Sequence, residues 1–581
     1  MSEGHKFEIR DGMRIEWNAP IAMEDGVVLR ADVIGPVDDG KYPVILTYGP
    51  YAKGLAFQEG YKTAWTRMIE AYPEVAEGTS NKYQSWELVD PEKWVPDGYV
   101  CLRIDSRGAG MSPGFLDVWS ERETRDLYQC IEWAGTQPWS NGKVGLNGIS
   151  YYAMNQWQVA ALNPPHLAAF CAWEGASDYY RDLCRHGGIL SEFLGNWYNR
   201  QVKSVQYGVG ERGARSQVTG MPVAGFESLS DEELAKNRAD VGGEALDREL
   251  IDDYYRARMP RLEEIRAPLL SAGNWGGVGL HPRGNFEGFV RAGSKDKWLE
   301  VHGDTHFSHF YSNYGMALQK RFFGHFLKGE NNGWDREPPV QLNVRHPGET
   351  FAPRGESEWP LARTQWTRFY LDPANGGLDT AQPQQATSLA YETTGNGLMF
   401  MSAPLTEALE ITGPIAAKLF LSSETTDADV FLALRVYDPQ GKEVSFIGSN
   451  DPRTPVALGW LRASHRKLDP KRSLPYRPWH THDELQPLQS HRPVELDVEV
   501  WPTSIVIPAG YRFALNVRGR DYEYDGNFVT LPFSPAKFYG VGPFTHNNPK
   551  DRPPEIFGGK NTLHFAPGKQ PYVLLPLIPG K

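Results

Sequence analysis

The stretch GKVGLNGISYYAMNQWQVAAL, residues 142–162, decides the fold. Its first half is a short apolar run that predicts a buried strand, and its second half predicts a helix. Between them, Gly148 and Ser150 lie in a sharp turn of the kind that presents a serine hydroxyl above a sheet edge as a nucleophile. Such a turn needs small residues near the serine, and Gly148 and Ala153 supply them although Tyr152 does not. The alternative is an ordinary strand–helix turn whose serine caps the helix.

Further apolar runs surround this stretch and alternate with turn-rich or helical segments. They are PVILTYGP (43–50), GYVCLRID (98–105), LAAFCAWEG (167–175), APLLSAGNW (267–275) and KWLEVHGDTH (297–306). Near-continuous apolar strands that alternate with helices predict a parallel sheet covered on both faces. MALQKRFFGHFLKGENNGW (316–334) predicts an amphipathic helix that closes this part of the chain and ends near Gly329.

Two other parts of the chain have a different pattern. Residues 176–260 mix aromatic and charged side chains without strand runs, which predicts a mostly helical insertion. From about residue 353 onward, short alternating runs such as ADVFLALRVYD (428–438) and VELDVEVWP (494–502) follow one another with turns between them. This pattern predicts an antiparallel sandwich or jelly roll.

Composition narrows the classes of function. The chain has 581 residues, of which 40% are hydrophobic and 23% charged, so it is long enough for several globular domains. A net charge of -12 disfavours a nucleic-acid partner, which would need a basic face. The 4 cysteines form no CxxC pair, which argues against a disulfide framework or a Cys-rich zinc site. The N-terminus lacks a secretory pattern and no run of about 18 apolar residues occurs, so we expect a cytoplasmic protein without a membrane partner.

A serine nucleophile needs a base, because its hydroxyl is unreactive at its ordinary pKa. The last predicted strand of the sheet and the loop after it offer His302, His306 and His309. We select His306, which follows the strand in a GDTH loop, and keep His309 as the reserve. The pair His306 and His309 lacks a third convergent ligand, so we expect no metal and no other cofactor.

The base needs a carboxylate that orients it and stabilises its charged form. No carboxylate follows the preceding strand, where Gly276 and Gly277 stand instead. Glu174, at the end of the strand before that one, is our first choice, because its longer side chain could reach across from one strand further away. Asp304, two residues before His306, is the reserve, and the absence of any acid stays open.

The oxyanion of an acyl-transfer reaction needs preorganised donors. The N–H of Tyr151, the residue after the serine, is one predicted donor. A second donor is expected from the loop TYGPYAKG (47–54), where either Tyr48 or Tyr51 could supply a phenol.

The whole chain resembles the cocaine esterase / Xaa-Pro dipeptidyl-peptidase family, which includes α-amino-acid ester hydrolases and glutaryl acylases. The segments that carry the resemblance are MEDGVVLRADV (23–33), IDSRGAGMSPG (104–114), QPWSNGKVGLNGISYYAMNQWQ (137–158), DYYRD (178–182), FFGHFLKG (322–329), LRASHRKLD (461–469) and WPTSIVIPAGYRFALNV (501–517). The resemblance implies that Ser150 is the nucleophile and His306 the base. It also favours Tyr51 over Tyr48 as the oxyanion donor beside the Tyr151 amide.

The same resemblance implies a three-part architecture. An α/β-hydrolase fold (residues 1–175 and 261–350) would carry an inserted helical cap (176–260) and be followed by a C-terminal all-β jelly-roll domain (351–581). Two departures matter, since Ala153 replaces a glycine of the family and Gly276 replaces its acidic residue. The acid of the family therefore cannot be carried over, and we prefer Glu174 as a relocated one.

We expect a serine hydrolase that cleaves an ester of a small molecule with an apolar or aromatic part. Trp173, Trp275 and Tyr179 are the expected pocket residues, because the strand ends and the insertion are rich in aromatic side chains. Two alternatives stay open: an amidase or Xaa-Pro-type peptidase of the same fold, and a catalytically impaired protein that only binds. The sequence does not decide whether the protein forms a homo-oligomer.

Overall fold

The computed structural model describes residues 4–524, 528–531 and 534–580. The first elements of the described chain belong to a mixed sheet. Its strands before residue 176 are β1 Lys6–Arg10, β2 Met13–Ala22, β3 Val28–Pro36, β4 Tyr42–Gly49, β5 Val100–Asp105, β6 Ser140–Ile149 and β7 Leu167–Trp173. The first three pair antiparallel, and β3 joins β5. The strands β5, β4, β6 and β7 then lie side by side and parallel.

The helices of this first part are α1 Phe57–Gly60, α2 Lys62–Ala71, α3 Pro91–Trp94, α4 Glu121–Gly135 and α5 Tyr151–Ala160. Helix α4 begins where the Ser120 hydroxyl accepts a hydrogen bond from the Glu123 N–H, at 3.2 Å. Its apolar residues pack with α5 on one face of the sheet.

Between β7 and the next strand of the sheet, the chain forms short elements. They are a π-helical turn Tyr179–Cys184, a hairpin of β8 Arg185–His186 and β9 Ile189–Leu190, and the helices α6 Phe193–Trp197, α7 Asp231–Lys236, α8 Val241–Asp247 and α9 Asp253–Arg256. The longest continuous helical run of this segment joins α6 to a π-helical turn Tyr198–Val202 and a 3-10 turn Lys203–Val205. Glycines at 208, 210, 213, 220 and 225 account for the loops between α6 and α7.

The sheet resumes with β10 Leu269–Asn274, β11 Lys297–His302 and β12 Val340–His346, all parallel to β7. Three helices accompany them: α10 Pro282–Arg291, α11 Ser308–Tyr311 and α12 Asn313–Phe323. The predicted closing helix corresponds to α12, which runs on as a π-helical turn and ends at Gly329, where φ is 72°. Helix α12 packs on the sheet face opposite α4 and α5, so the predicted sheet with two covered faces is confirmed.

The rest of the chain is rich in strands. They are β13 Thr350–Glu356, β14 Gln365–Asp372, β15 Gly377–Asp379, β16 Thr387–Glu392, β17 Leu398–Met401, β18 Leu409–Ser423, β19 Asp429–Tyr437, β20 Glu443–Val444, β21 Ala457–Arg462, β22 Val494–Ile507, β23 Arg512–Arg518, β24 Val529–Leu531, β25 Ser534–Phe538, β26 Lys560–Phe565 and β27 Tyr572–Ile578, with one helix, α13 Pro554–Phe557. The long strand β18 pairs antiparallel with β22 on one side and with β26 and β27 on the other. A second antiparallel group contains β17, β23, β19 and β21.

One apolar core lies between these two groups of strands. The protein is therefore a mixed α/β chain with a β-rich C-terminal part. All four cysteines are buried free thiols. Within the described ranges, none of the helices combines the length and apolar character needed to cross a bilayer.

Candidate active site

Ser150 lies at the junction of β6 and α5 in a strained backbone conformation. Its φ is 59° and its ψ is -111°, a region that residues with a side chain rarely adopt. The Ser150 N–H donates to the carbonyl of Trp173 at 3.1 Å, which ties the turn to the end of β7. The neighbours of Ser150 on both sides are buried, whereas Ser150 itself is partly exposed. The turn therefore presents this hydroxyl at the edge of the sheet.

Three glycines make room for this turn. A Cβ atom at Gly148 would lie 2.5 Å from the Cβ of Tyr152, and one at Gly49 would lie 2.6 Å from the Tyr152 ring. A Cβ atom at Gly175 would lie 2.7 Å from the Cβ of Ala153. The bulky Tyr152 is tolerated two residues after the serine because its neighbours carry no side chain.

Glu174 and His306 meet at the same edge of the sheet. The Nδ1 atom of His306 lies 2.8 Å from Oε2 of Glu174, and both side chains are buried. Glu174 follows β7 directly with a φ of 47°, which turns its side chain across the end of β10. Although burial disfavours the Glu174 carboxylate, the charges and hydrogen bonds of His306 and His302 outweigh it and hold the pKa of Glu174 well below its ordinary value.

Three further donors converge on the Glu174 carboxylate. Asn274 Nδ2 donates to Oε1 at 3.1 Å, and His302 Nε2 lies 3.3 Å from the same oxygen. The Ser449 hydroxyl, which comes from the β-rich part, donates to Oε2 at 3.1 Å. Each oxygen of this buried carboxylate therefore has two partners, and its charge is well satisfied.

The reserve candidates lie elsewhere. The Asp304 carboxylate accepts a hydrogen bond from the Tyr72 hydroxyl at 2.6 Å, and its other oxygen accepts from the N–H of Thr305. The His309 ring packs against His302, with the ring centroids 5.3 Å apart. The structure brings Glu174, and not Asp304, to the imidazole of His306.

Two residues that the sequence did not single out complete the site. The Nε2 atom of His306 lies 2.8 Å from Oε1 of Glu87, whereas Oγ of Ser150 lies 3.1 Å from Nε2 of His281. The rings of His281 and His306 stack, with centroids 5.4 Å apart and an angle of 11° between the planes. The Nδ1 atom of His281 accepts a hydrogen bond from the Ala176 N–H at 3.2 Å, so its Nε2 carries the proton and donates to Ser150.

The electrostatics of His306 follow from its two carboxylate partners. Burial disfavours the imidazolium, but Glu174 and Glu87 outweigh it and raise the pKa of His306 to about 10. Burial likewise raises the pKa of Glu87, to about 7, against the opposing effect of His306. The His306–Glu87 contact therefore holds a proton between Nε2 and the carboxylate. The pKa of His281 is lowered by burial and by the nearby His306, so His281 is neutral.

One predicted oxyanion donor is the N–H of Tyr151, the residue after Ser150, and the ring of the other, Tyr51, contacts the Tyr151 ring with centroids 6.0 Å apart. Helix α5 begins at Tyr151, so the Tyr151 N–H is among those that have no acceptor within the helix. The Tyr51 hydroxyl accepts a hydrogen bond from Nε1 of Trp197 at 2.8 Å, which leaves its own proton available to another acceptor. The side-chain hydroxyl of Tyr151 donates to Glu123. Tyr48 instead packs in the core on the sheet face that α4 covers.

The structure separates the three expected pocket residues. Tyr179 lies against Trp119, with ring centroids 5.6 Å apart, and Trp119 stacks on Tyr151 at 4.4 Å. Trp173 is fully buried and stacks on His302. Trp275 belongs to a different cluster, where it packs against Phe286 and Trp359. Tyr179 thus lies in an aromatic group with Trp119 and Trp197 around Tyr151, the residue after Ser150, whereas Trp275 belongs to another group.

Two family models match the chain in tandem. The X-Pro dipeptidyl-peptidase (S15 family) model matches residues 25–308, and the X-Pro dipeptidyl-peptidase C-terminal non-catalytic domain matches residues 332–573. Among curated relatives, the cocaine esterase of Rhodococcus sp. (strain MB1 Bresler) is 24% identical over 97% of this chain and 98% of its own.

Solved structures agree with these matches. A CocE/NonD family hydrolase from Staphylococcus aureus is 29% identical, with a TM-score of 0.84 over 100% of this chain and 97% of its own. An α-amino acid ester hydrolase shares the fold at 16% identity, with a TM-score of 0.67 and 99% of each chain covered. With these matches along nearly its whole length, the chain belongs to the cocaine esterase / Xaa-Pro dipeptidyl-peptidase family and is an enzyme of the serine hydrolase type.

Proposed function

We propose that this protein cleaves small-molecule esters through an acyl-enzyme on Ser150, with His306 as the base and Glu174 as the acid that orients it. The observation that carries the proposal is the contact of 2.8 Å between Nδ1 of His306 and the buried Glu174 carboxylate, beside a serine held at a φ of 59°. This contact fixes the proton of His306 on Nδ1, so that Nε2 is the atom that can accept the proton of a serine.

The reaction requires His306 to change partners. In the resting arrangement, Nε2 of His306 faces Glu87 and Oγ of Ser150 faces His281. In the proposed reaction, Glu87 keeps the shared proton when Nε2 is released from it, and the neutral His306 then takes the Ser150 proton on Nε2 as Oγ attacks the ester carbonyl. The developing oxyanion is held by the Tyr151 N–H.

The remaining steps follow the same groups. The Tyr51 hydroxyl is the proposed second donor to the oxyanion. His306 then gives its proton to the leaving alkoxide, and a water molecule repeats the sequence on the acyl-enzyme, which releases the carboxylic acid and frees Ser150.

An aromatic group beside the nucleophile favours an apolar or aromatic substrate part. Trp119, Tyr151 and Trp197 are stacked there, and Tyr179 lies against them. The relative named cocaine esterase supports ester cleavage, and the X-Pro dipeptidyl-peptidase models keep an amidase or peptidase activity as the alternative. The proposed architecture is an α/β-hydrolase fold with a cap over residues 176–260 and a jelly roll over 351–581.

One observation favours His281 as a second candidate for the base. Its Nε2 atom lies 3.1 Å from Oγ of Ser150, whereas Nε2 of His306 faces Glu87. The Ala176 N–H opposes this role, since it donates to Nδ1 of His281 and so leaves the proton on Nε2. In our proposal, His281 instead donates to Oγ and holds the serine in place.

Matched glutamine substitutions separate the two histidines. Hydrolysis of p-nitrophenyl acetate is measured for the wild type, Ser150→Ala, His306→Gln and His281→Gln. We expect Ser150→Ala and His306→Gln each to lower kcat by about 10⁴-fold or more. His281→Gln keeps an amide N–H near the Nε2 position, so we expect a loss of about tenfold or less.

The outcomes are distinct. Loss in His281→Gln with activity kept in His306→Gln would assign the base to His281. Equal rates for the wild type and Ser150→Ala would contradict the proposal and favour a protein that only binds.

A further inference from the structure

A loop of the β-rich part reaches the proposed catalytic pair. Residues 447–451 lie between β20 and β21, and Ser449 in this loop is only 2% exposed. Its hydroxyl donates to Oε2 of Glu174 at 3.1 Å, the same oxygen that accepts from Nδ1 of His306. The second donor to Oε2 of Glu174 is thus Ser449, which lies 275 positions further along the chain than Glu174.

The backbone of Ser449 is bonded to the same site. The His306 N–H donates to the Ser449 carbonyl at 3.1 Å, and the Ser449 N–H donates to the Gly276 carbonyl at 3.0 Å. One residue therefore contacts the proposed acid through its side chain, the proposed base through its carbonyl, and the end of β10 through its N–H. These three contacts fix the acid and the base relative to each other.

Close approach of the loop depends on the missing side chain at Gly276. A Cβ atom there would lie 2.5 Å from Cα of Gly448, and a Cβ atom at Gly448 would lie 2.8 Å from the Gly276 carbonyl oxygen. The loop therefore occupies the space into which an acidic side chain at position 276 would project. Its Ser449 hydroxyl reaches the carboxylate that comes instead from Glu174.

The loop is held firmly from its other side. Asp451 accepts hydrogen bonds from the N–H groups of Gly540 and Gly542 at 2.8 and 3.0 Å. Phe446 and Thr454 exchange two backbone hydrogen bonds, of 3.0 and 2.8 Å, which close the base of the loop. A donor fixed in this way can orient a catalytic group, whereas a mobile one could not.

We propose that Ser449 is a positioning residue for the Glu174–His306 pair, so that the β-rich part, whose family model is described as non-catalytic, completes the catalytic site. The inference rests on the proposed function of these two residues. The hydroxyl fixes the rotation of the Glu174 carboxylate and shares its charge, which keeps Nδ1 of His306 in line with Oε2.

The test compares Ser449→Ala and Ser449→Thr with the wild type in the full-length protein, on p-nitrophenyl acetate over a range of pH. Ser422→Ala is the matched control, because Ser422 is a buried serine of the same part whose hydroxyl bonds to His564 at 2.8 Å. We expect Ser449→Ala to lower kcat by about tenfold with KM unchanged, since an outer partner of a catalytic ligand typically contributes a factor of about 10 to 100. Ser449→Thr keeps the hydroxyl and is expected to stay within about threefold of the wild type.

The pH profile gives a readout that a purely structural role would not change. Without the hydroxyl, the Glu174 charge acts more strongly on His306, so the acid limb of kcat/KM is expected to move to higher pH in Ser449→Ala alone. An unchanged kcat and an unchanged limb in Ser449→Ala, with Ser150→Ala inactive, would overturn this inference and leave the proposed function standing. Equal rates for the wild type and Ser150→Ala would instead overturn the proposed function.

If Ser449→Ala does not fold, Ser449→Cys serves in its place. The thiol has a similar volume and is a weak donor, so we expect a smaller loss of kcat in the same direction. A wild-type kcat and pH profile in the cysteine variant would count against the inference.

Discussion

Replacing Glu174 with glutamine is the sharpest test of the relocated acid, because it removes the charge and keeps the shape. Four donors converge on the two carboxylate oxygens, and they come from Asn274, His302, His306 and Ser449. A glutamine offers one acceptor oxygen, and its NH₂ group must face two of these donors. If the NH₂ group faces Nδ1 of His306, the imidazole is forced into the wrong tautomer.

The magnitude follows from the pKa of His306. Burial disfavours the imidazolium, yet Glu174 and Glu87 raise its pKa from 6.5 to about 10. Glu174 is the largest of the contributions that raise this pKa, so losing its charge destabilises the imidazolium, and each pKa unit lost corresponds to about tenfold in rate. Loss of the correct tautomer costs about 10⁴-fold in other triads. We therefore expect kcat to fall by between about 100-fold and 10⁴-fold, with KM little changed.

The assay is steady-state hydrolysis of p-nitrophenyl acetate, with thermal unfolding measured on the same samples. Glu300→Gln is the control, because Glu300 is also fully buried and bonds a histidine, with Oε2 at 2.8 Å from Nδ1 of His302. We expect it to lose less than about tenfold, since it does not contact His306. A Glu174→Gln variant that folds and keeps kcat within about threefold of the wild type would refute the assignment of Glu174 as the orienting acid.

Three further predictions concern the rest of the site. Tyr51→Phe removes one proposed oxyanion donor and should lower kcat by about 100- to 1000-fold with KM little changed; a loss below about threefold would exclude this role. Glu87→Gln removes one of the two carboxylates that raise the pKa of His306, the proposed base, so the acid limb of the kcat/KM profile should move to lower pH; a limb that stays or rises would contradict the proposal. The double variant Glu174→Gln/Gly276→Asp should be no more active than Glu174→Gln, because a Cβ atom at position 276 would lie 2.5 Å from Cα of Gly448. Recovered hydrolysis would show that the loop 447–451 can move to admit this side chain.

The sheet and the serine turn could be predicted from the sequence, because both depend on local patterns. Apolar runs mark β4 to β7, β10 and β11, and the parallel arrangement puts the ends of those strands at one edge. That geometry is why Glu174 and His306 could be paired from their positions alone, although they are 132 residues apart. The short elements between β7 and β10 carry no such pattern, so their individual bounds could not be predicted.

Glu87, His281 and Ser449 could not be predicted, because no local pattern marks them. Glu87 lies in a loop before α3, and His281 directly precedes α10 at the end of a glycine-rich loop. The packing of the Trp275 ring could not be predicted for a different reason. It follows β10 directly, and the side to which its ring turns depends on how the chain leaves the strand. Its ring packs against Phe286 of α10.

The position of the Glu174 carboxylate and the close approach of the loop 447–451 depend on each other. The Glu174 N–H donates to the Ala272 carbonyl at 2.6 Å, and its side chain crosses the end of β10 to reach His306. That crossing places the carboxylate beside Asn274, whose Nδ2 donates to Oε1 at 3.1 Å. Because Gly276 has no side chain, the loop 447–451 lies close to the end of β10. The Ser449 hydroxyl can then bond to the carboxylate of Glu174, which follows the neighbouring strand β7. A side chain at position 276 would exclude the loop, because its Cβ would lie 2.5 Å from Cα of Gly448, so an acid at that position and the Ser449 contact are alternatives.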